Sequence, residues 1–290
     1  MTLFTKLTTA LCLMLAISTN AQDFQGKAFY MSKTSVDMSN FGGRDMSDQQ
    51  KKMIADRMKN MFEKTYILTF NQSESTYKEE EKLEAPGAGG GRWRGMMSSF
   101  TGGSQYKNVK EGLVLQEQEF FGKQFLVKDS LPKLKWKMEN ETKQIGQYTC
   151  FKATATKPVD EMDFMNWRRR GRDNDEEKKD SSEAKDSTNA NVMDEVEVPK
   201  EITITAWYTP QIPVNQGPGD YYGLPGLIME VNSGRTTILC NKIIMNPQDK
   251  ESIEAPTKGK EVTRDEYNTI MKEKMEEMRE MYGGRGRGRN

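Results

Sequence analysis

Apolar and polar positions along this chain repeat mainly with a period of two, the spacing that places alternate side chains on one face of a β-strand. Asp23–Val36 alternates loosely, is rich in Phe and Tyr, and predicts a first strand. Thr65–Tyr77 predicts a second, with Tyr66, Leu68 and Phe70 on one face. Leu113–Leu115 and Phe125–Val127, with Phe121 between them, predict a hairpin around Gly122-Lys123, its turn beginning at the glycine. Leu134, Trp136 and Met138 alternate with Lys133, Lys135 and Lys137, which reads as a strand with one wet face. Glu139–Thr142 is then expected to turn the chain into a strand over Lys143–Thr156, carrying Ile145, Tyr148, Cys150, Phe151 and Ala153. The sharpest alternation is Glu201–Thr209, with Ile202, Ile204, Ala206 and Tyr208 opposite Thr203, Thr205 and Trp207. Leu227–Val231 and Arg235–Met245, joined by Asn232-Ser233-Gly234, complete a meander.

Two stretches change period. Over Ser47–Lys64, Met53, Ile54, Met58, Met61 and Phe62 fall at helical spacing, with Ser47 as cap and Asp48 complementing the helix dipole. Thr263-Arg264-Asp265-Glu266 is a capping box, threonine leading and glutamate three positions on. Its helix runs through Tyr267, Ile270, Met271, Met275, Met278 and Met281 to Gly283-Gly284. Between strands, Leu224-Pro225-Gly226-Leu227 puts proline and glycine where a type II turn needs them.

Composition then divides the chain. Residues 85–105 hold Gly87-Ala88-Gly89-Gly90-Gly91 and Gly102-Gly103 and read as a flexible insertion. Residues 158–199 form an Arg-, then Asp/Glu/Lys/Ser-rich run that cannot bury enough apolar surface to offset the entropy of ordering it. Residues 22–262 are thus expected to be a single β-rich domain with two insertions, and 263–290 a C-terminal amphipathic helix with a Gly/Arg tail. The fold expected is mainly β: a curved antiparallel sheet or half barrel resembling lipoprotein-carrier domains, with one packed helix and a C-terminal helix.

Residues 1–21 read as a signal peptide, with Lys6 in the n-region, an apolar Leu7–Ile17 and the small residues Thr19-Asn20-Ala21 before Gln22. That apolar run is too short to span a membrane, which takes about 20 residues, so the expected location is exported, periplasmic or secreted. The 43 basic and 43 acidic residues cancel, so no overall field draws the chain to nucleic acid, and any charge-driven partner must be met locally. Mean hydropathy of −0.82 fits a core carrying solvated insertions.

The sequence contains no histidine, which removes Ser-His-Asp and Cys-His nucleophiles and His-ligated zinc. The acidic clusters Glu79–Glu81 and Asp173–Glu177 lie in polar runs where carboxylates stay hydrated rather than pairing as acid and base. The reading is therefore of a non-enzyme that takes no cofactor. Past residue 21 two cysteines remain, Cys150 and Cys240, both in predicted strands that could lie side by side. Export would permit a disulfide between them; two buried thiols fit equally. Met275, Met278 and Met281 have the spacing of a thioether Cu(I) site, but the same spacing serves core packing or a partner, and the intervening glutamates prefer harder ions. Trp207, Tyr208, Tyr221 and Tyr222 surround the Gly/Pro-rich stretch and could wall a groove, though aromatics beside irregular backbone also make structural corners.

Trp136, Ile145–Ala153, Ala206-Trp207-Tyr208-Thr209, Ile212-Pro213, Gly217-Pro218 and the intact Gly223-Leu224-Pro225-Gly226-Leu227-Ile228 together resemble the GLPGLI family of exported proteins, found mainly in Bacteroidetes-type bacteria. The resemblance spans most of the second half. It implies location and topology but no catalytic residue, since the family has no assigned molecular function. The insertions and the C-terminal extension depart from it. The function expected is an exported, non-enzymatic envelope protein binding an apolar, peptide or protein partner on the curved sheet near the motif. The alternatives are an interaction protein acting through its Met-rich C-terminal helix, and an envelope Cu(I)-binding protein.

Overall fold

In the computed structural model the described residues are 24–35, 47, 49, 62–80, 103–158 and 201–283. They form β1 (Gly26–Thr34), β2 (Glu63–Phe70), β3 (Glu74–Glu79), β4 (Gln105–Asn108), β5 (Leu113–Phe120), β6 (Lys123–Ser130), β7 (Lys137–Ile145), β8 (Tyr148–Pro158), β9 (Glu201–Thr209), β10 (Leu227–Ser233), β11 (Thr236–Met245), β12 (Lys260–Val262) and α1 (Arg264–Gly283). All twelve strands belong to one open sheet in the order β12-β6-β5-β4-β3-β2-β1-β11-β10-β9-β8-β7. Every pairing is antiparallel except β12 on β6, which adds a short parallel edge. The protein is mainly β, as the period-two pattern predicts.

Register separates the two faces. Ala28 and Tyr30 of β1 stand opposite Leu68 and Tyr66 of β2, and Phe70 opposite Ser75 of β3. Ser75 in turn meets Lys107 of β4, and Lys107 meets Val114 of β5. This row is the inner face, and Ala28, Tyr30, Leu68 and Phe70 are fully buried in it. Three segments cover it. At the β5–β6 end α1 packs Tyr267 and Met271 against Phe120, Phe125 and Val127. In the middle lies the 210–226 connection between β9 and β10, whose Ile212 and Val214 enter the same core as Tyr30 and Phe70. At the far end Leu134 and Trp136 pack on Ala153, Ile204, Ala206 and Val231. On the outer face Ile253 closes over Tyr106, Leu115 and Leu126, while Glu251 accepts hydrogen bonds from Lys27 and Thr69.

Several local expectations need correction. Thr65–Tyr77 is two strands, because the Asn71 carboxamide oxygen accepts the Ser73 and Glu74 backbone N–H groups at 2.9 and 2.6 Å and folds a tight turn. Leu134 and Trp136 belong to no strand. Residues 131–136 run from β6 near one edge of the sheet to β7 at the other, and Met138, inside β7, is 58% exposed. Glu139–Thr142 does not turn the chain: the β7–β8 register shifts between Met138 and Thr142, a bulge on an edge strand. The turn falls at Gly146-Gln147, where Gly146 has φ 58°. The β5–β6 turn consists of Phe121 (φ 51°) and Gly122 (φ 73°), the two left-handed positions of a type I′ hairpin, so the glycine stands second.

The predicted Ser47–Lys64 helix lies almost wholly outside the described residues, and by Glu63 the chain is already β2. The 85–105 and 158–199 insertions likewise fall outside, apart from 103–105 and Pro158; Gln105 opens β4. The C-terminal capping box forms as expected, with Glu266 N donating to Thr263 Oγ1 at 3.2 Å and Thr263 N donating to Glu266 Oε2 at 2.8 Å.

Cys150 of β8 and Cys240 of β11 do not lie side by side, since β9 and β10 stand between their strands. Both are buried free thiols of one apolar cluster. Each Sγ donates to a carbonyl of its own strand, Tyr148 O and Lys242 O respectively. Burial pushes both thiols up, to about 11 for Cys150 and about 12 for Cys240, away from the reactive thiolate.

Candidate functional site

The motif ends the 210–226 connection and, with Leu227 and Ile228, opens β10; the prolines and glycines of the connection dictate its path. Pro213 and Pro225 each centre a three-residue turn: Val214 N donates to Ile212 O and Gly226 N to Leu224 O, both at 2.8 Å. The i→i+2 bond makes Leu224-Pro225-Gly226 a γ-turn rather than the expected type II turn. Gly226 accordingly does not carry positive φ; Gly223 does, at 90°. Glycine is needed at 226 for space, because a Cβ there would lie 2.2 Å from Thr209 O. Gly217 is equally confined, 2.7 Å from Tyr221 O.

Between these turns the segment hydrogen-bonds to itself, with Leu227 N to Ile212 O at 2.9 Å and Ile228 N to Gln216 O at 3.0 Å. Its apolar members are core: Leu224, Leu227 and Ile228 are fully buried, Tyr208 is 6% exposed, and Tyr30 Oη donates to Ile228 O at 2.7 Å. Gly223 and Pro225 are the exposed members of the six-residue motif. Trp207 packs at the edge of the cluster that holds Leu227, Ile212 and Val214, with Lys143 Nζ 4.3 Å from its ring, while Tyr208 and Tyr221 belong to the neighbouring cluster of Leu224 and Ile228. Tyr221 and Tyr222 are half-buried. Trp136 Nε1 donates to Tyr222 O at 2.8 Å and Tyr222 Oη to Leu131 O at 3.3 Å, tying the two straps together.

The polar centre of the site is Lys107, which the sequence does not single out. It points from β4 into the inner face, is 2% exposed, and donates from Nζ to Gly217 O and Gly219 O at 2.9 Å and Tyr221 O at 3.3 Å. Backbone oxygens thus form a cation cradle filled by the chain's own ammonium. Burial pushes that ammonium down from its ordinary 10.5 to about 7, while the Asp220 carboxylate pulls it back up. Gln105 Nε2 donates to Asp220 Oδ1 at 2.6 Å, and Ser75 Oγ to Gln216 Oε1 at 3.0 Å. Gln216 is fully buried and its Nε2 has no partner among the described atoms. The arrangement fastens the strap across the curl of the sheet, from β9 and β10 to β3 and β4. The amine is committed to three carbonyls, and burial raises the neighbouring Tyr30, Tyr77 and Tyr221 hydroxyls.

Nothing marked Lys107 in advance, because a lysine beside a glycine-rich stretch reads as solvated. The expected thioether triplet also divides. Met275 packs against the Tyr267 cluster, Met278 is half-buried and Met281 is 63% exposed, so the three occupy different environments. No helix among the described residues is long and apolar enough to cross a membrane.

Residues 136–230 match the model of a family described as a protein of unknown function (Porph_ging), a span running from Trp136 through the motif into β10. No curated protein matches the chain. Among solved structures, PNGF-II in space groups C2 and P21 is similar at TM-score 0.45 and 14% identity in both forms. The likeness covers 85% of this chain but only 32% and 33% of the PNGF-II chains, so this chain spans about a third of their length.

Proposed function

We propose that this is an exported, non-enzymatic interaction protein of GLPGLI type, in which the sheet is a self-filled scaffold and the contact surface lies at the outer end of α1. The observation that carries the reading is the gradient of burial along that helix. Tyr267 and Met271 are 4% and 8% exposed, Met275 and Met278 are half-buried, and Met281 is 63% exposed. The apolar stripe therefore continues past the surface it packs on, which a purely structural helix does not require. Export rests on the composition of residues 1–21, and the non-enzymatic reading on the absence of histidine and on the commitment of Lys107 to carbonyls. Against a partner on the inner face stand the strap and the helix that already occupy it.

The test places a photo-crosslinking residue at Met281, Pro225 or Tyr222 in the full chain within intact envelopes. Adducts at 281 and none at 225 and 222 support the reading. Adducts confined to 225 and 222 would return the partner to the motif and overturn it.

A further inference from the structure

The apolar cluster under α1 stands apart from the rest of the core. Tyr267 and Met271 pack with Phe120, Phe125, Val127 and Val262, and none of these six belongs to the clusters at the centre of the sheet or under Ile253. The strand that leads into the helix, β12, pairs only Lys260–Val262 with β6 and forms the outer edge of the sheet. Polar ties back to the sheet are half-buried: Arg264 N donates to Asp129 Oδ2 at 3.3 Å, and Arg264 Nη2 to Gln116 Oε1 at 2.9 Å. Inside the cluster Tyr267 is 4% exposed, its ring edge-on to Phe120 and Phe125, and its Oη is buried with no hydrogen-bond partner among the described residues. A hidden hydroxyl without a partner favours any state in which water reaches it.

The chain before β12 has the form of a hinge. Ile253 is fixed on the outer face against Tyr106, Leu115 and Leu126, whereas 254–255 and 257–259 are exposed. Gly259 then takes φ 110°, and a Cβ there would lie 2.7 Å from Phe125 C and 3.0 Å from Gln124 C and Leu126 N. Only a residue without a side chain lets the chain lay β12 on the backbone of β6.

We infer that β12 and α1 form a latch, hinged between Ile253 and Gly259, that opens from β6 as one unit while the rest of the sheet stays folded. Segments with a small apolar cluster of their own and a single attachment are those that open locally. Opening uncovers the backbone edge of β6 over Phe125–Val127, together with the side chains of Phe120, Phe125 and Val127. It also gives the Tyr267 hydroxyl its water. Two residues set the balance in opposite directions: the unpaired phenol works against the closed latch, and Gly259 permits it. The latch is independent of where along α1 a partner binds.

Amide hydrogen exchange, read by mass spectrometry on the full chain at several low urea concentrations, tests this in the wild type, Tyr267→Phe and Gly259→Ala. In the wild type, residues 260–275 should exchange together, faster than β1, β9 and β10 and with little dependence on urea, whereas those central strands should exchange slowly with a steep dependence. Tyr267→Phe keeps the ring and removes the unpaired hydroxyl, so exchange over 260–275 should slow about tenfold. Gly259→Ala should speed it about tenfold or more while β9–β11 keep their slow, urea-sensitive exchange. Exchange over 260–275 at the rate and urea dependence of β1 and β9 would overturn the inference. So would Tyr267→Phe leaving that exchange unchanged or faster, or Gly259→Ala either leaving it unchanged or abolishing the slow exchange of β9–β11 as well.

Discussion

Replacing Lys107 with methionine tests whether the cradle holds the strap. The substitution keeps length and apolar volume but removes the donor from Gly217 O, Gly219 O and Tyr221 O, which sit at 2.9, 2.9 and 3.3 Å from Nζ in the buried interior. Hydrogen bonds to a charged group are worth about 1.5–3 kcal/mol each, and carbonyls stripped of a donor are left unpaired. Relief from burying the ammonium works the other way, by several kcal/mol. Removing one side of a buried charged arrangement typically costs about 3–5 kcal/mol, so a loss near the low end, about 3 kcal/mol, is expected. At a urea slope of about 2 kcal/mol per molar, the unfolding midpoint should fall by about 1.5 M.

The pH dependence of this substitution is a second readout of the same site. The ammonium titrates at about 7 in the folded chain against an ordinary 10.5. Between those values the unfolded chain holds a proton that the folded chain has released, so unfolding takes one up and the lysine's contribution to stability rises with pH. Cys150, Cys240 and the buried tyrosines, all raised, act in the opposite sense at the alkaline end, but they are present in both proteins and cancel in the difference. The gap in urea midpoint between wild type and Lys107→Met should therefore widen from pH 6.5 to 9. A midpoint that is unchanged or raised by the substitution would refute the cradle, and a gap independent of pH would refute the lowered ammonium.

Gly226→Ala drives a Cβ against the Thr209 carbonyl at 2.2 Å and should cost about 3 kcal/mol or more, whereas Gly223→Ala, open but at φ 90°, should cost about 1–2 kcal/mol; urea melts of the two rank them. Cys150 and Cys240 should be silent to an aromatic disulfide reagent in the native protein and both react in denaturant, with reductant leaving the melting temperature unchanged. Thr263→Ala removes the oxygen that accepts Glu266 N and should lower stability by about 1 kcal/mol, with earlier hydrogen exchange over the first turn of α1.

Alternation and turn chemistry are local properties, and the elements that depended on them were legible: β1, β9, β10, β11, the β5–β6 hairpin and the capping box of α1. The β10–β11 pairing follows from the Asn232-Ser233-Gly234 turn, whereas β9 reaches β10 only through the long 210–226 connection. Readings failed where a backbone contact from a distant segment took precedence. Gly226 looks like a turn glycine, yet its smallness answers to Thr209 O. Lys133–Lys137 alternates like a strand but spends Leu134 and Trp136 on packing across the sheet. Cys150 and Cys240 look like a pair by their strand positions, but strand order, which no periodicity encodes, puts two strands between theirs.

The sequence alone thus determined the strand-forming faces, the apolar character of the motif and the exclusion of imidazole chemistry. Only the tertiary structure decided which face is inside, that the motif is core rather than a rim, and that Lys107 is its polar anchor. The physical reason is range. Side-chain alternation and φ preferences act over a few residues, whereas the Lys107 cradle joins groups 110 to 114 residues apart and exists only once the sheet has curled the 210–226 strap onto β4.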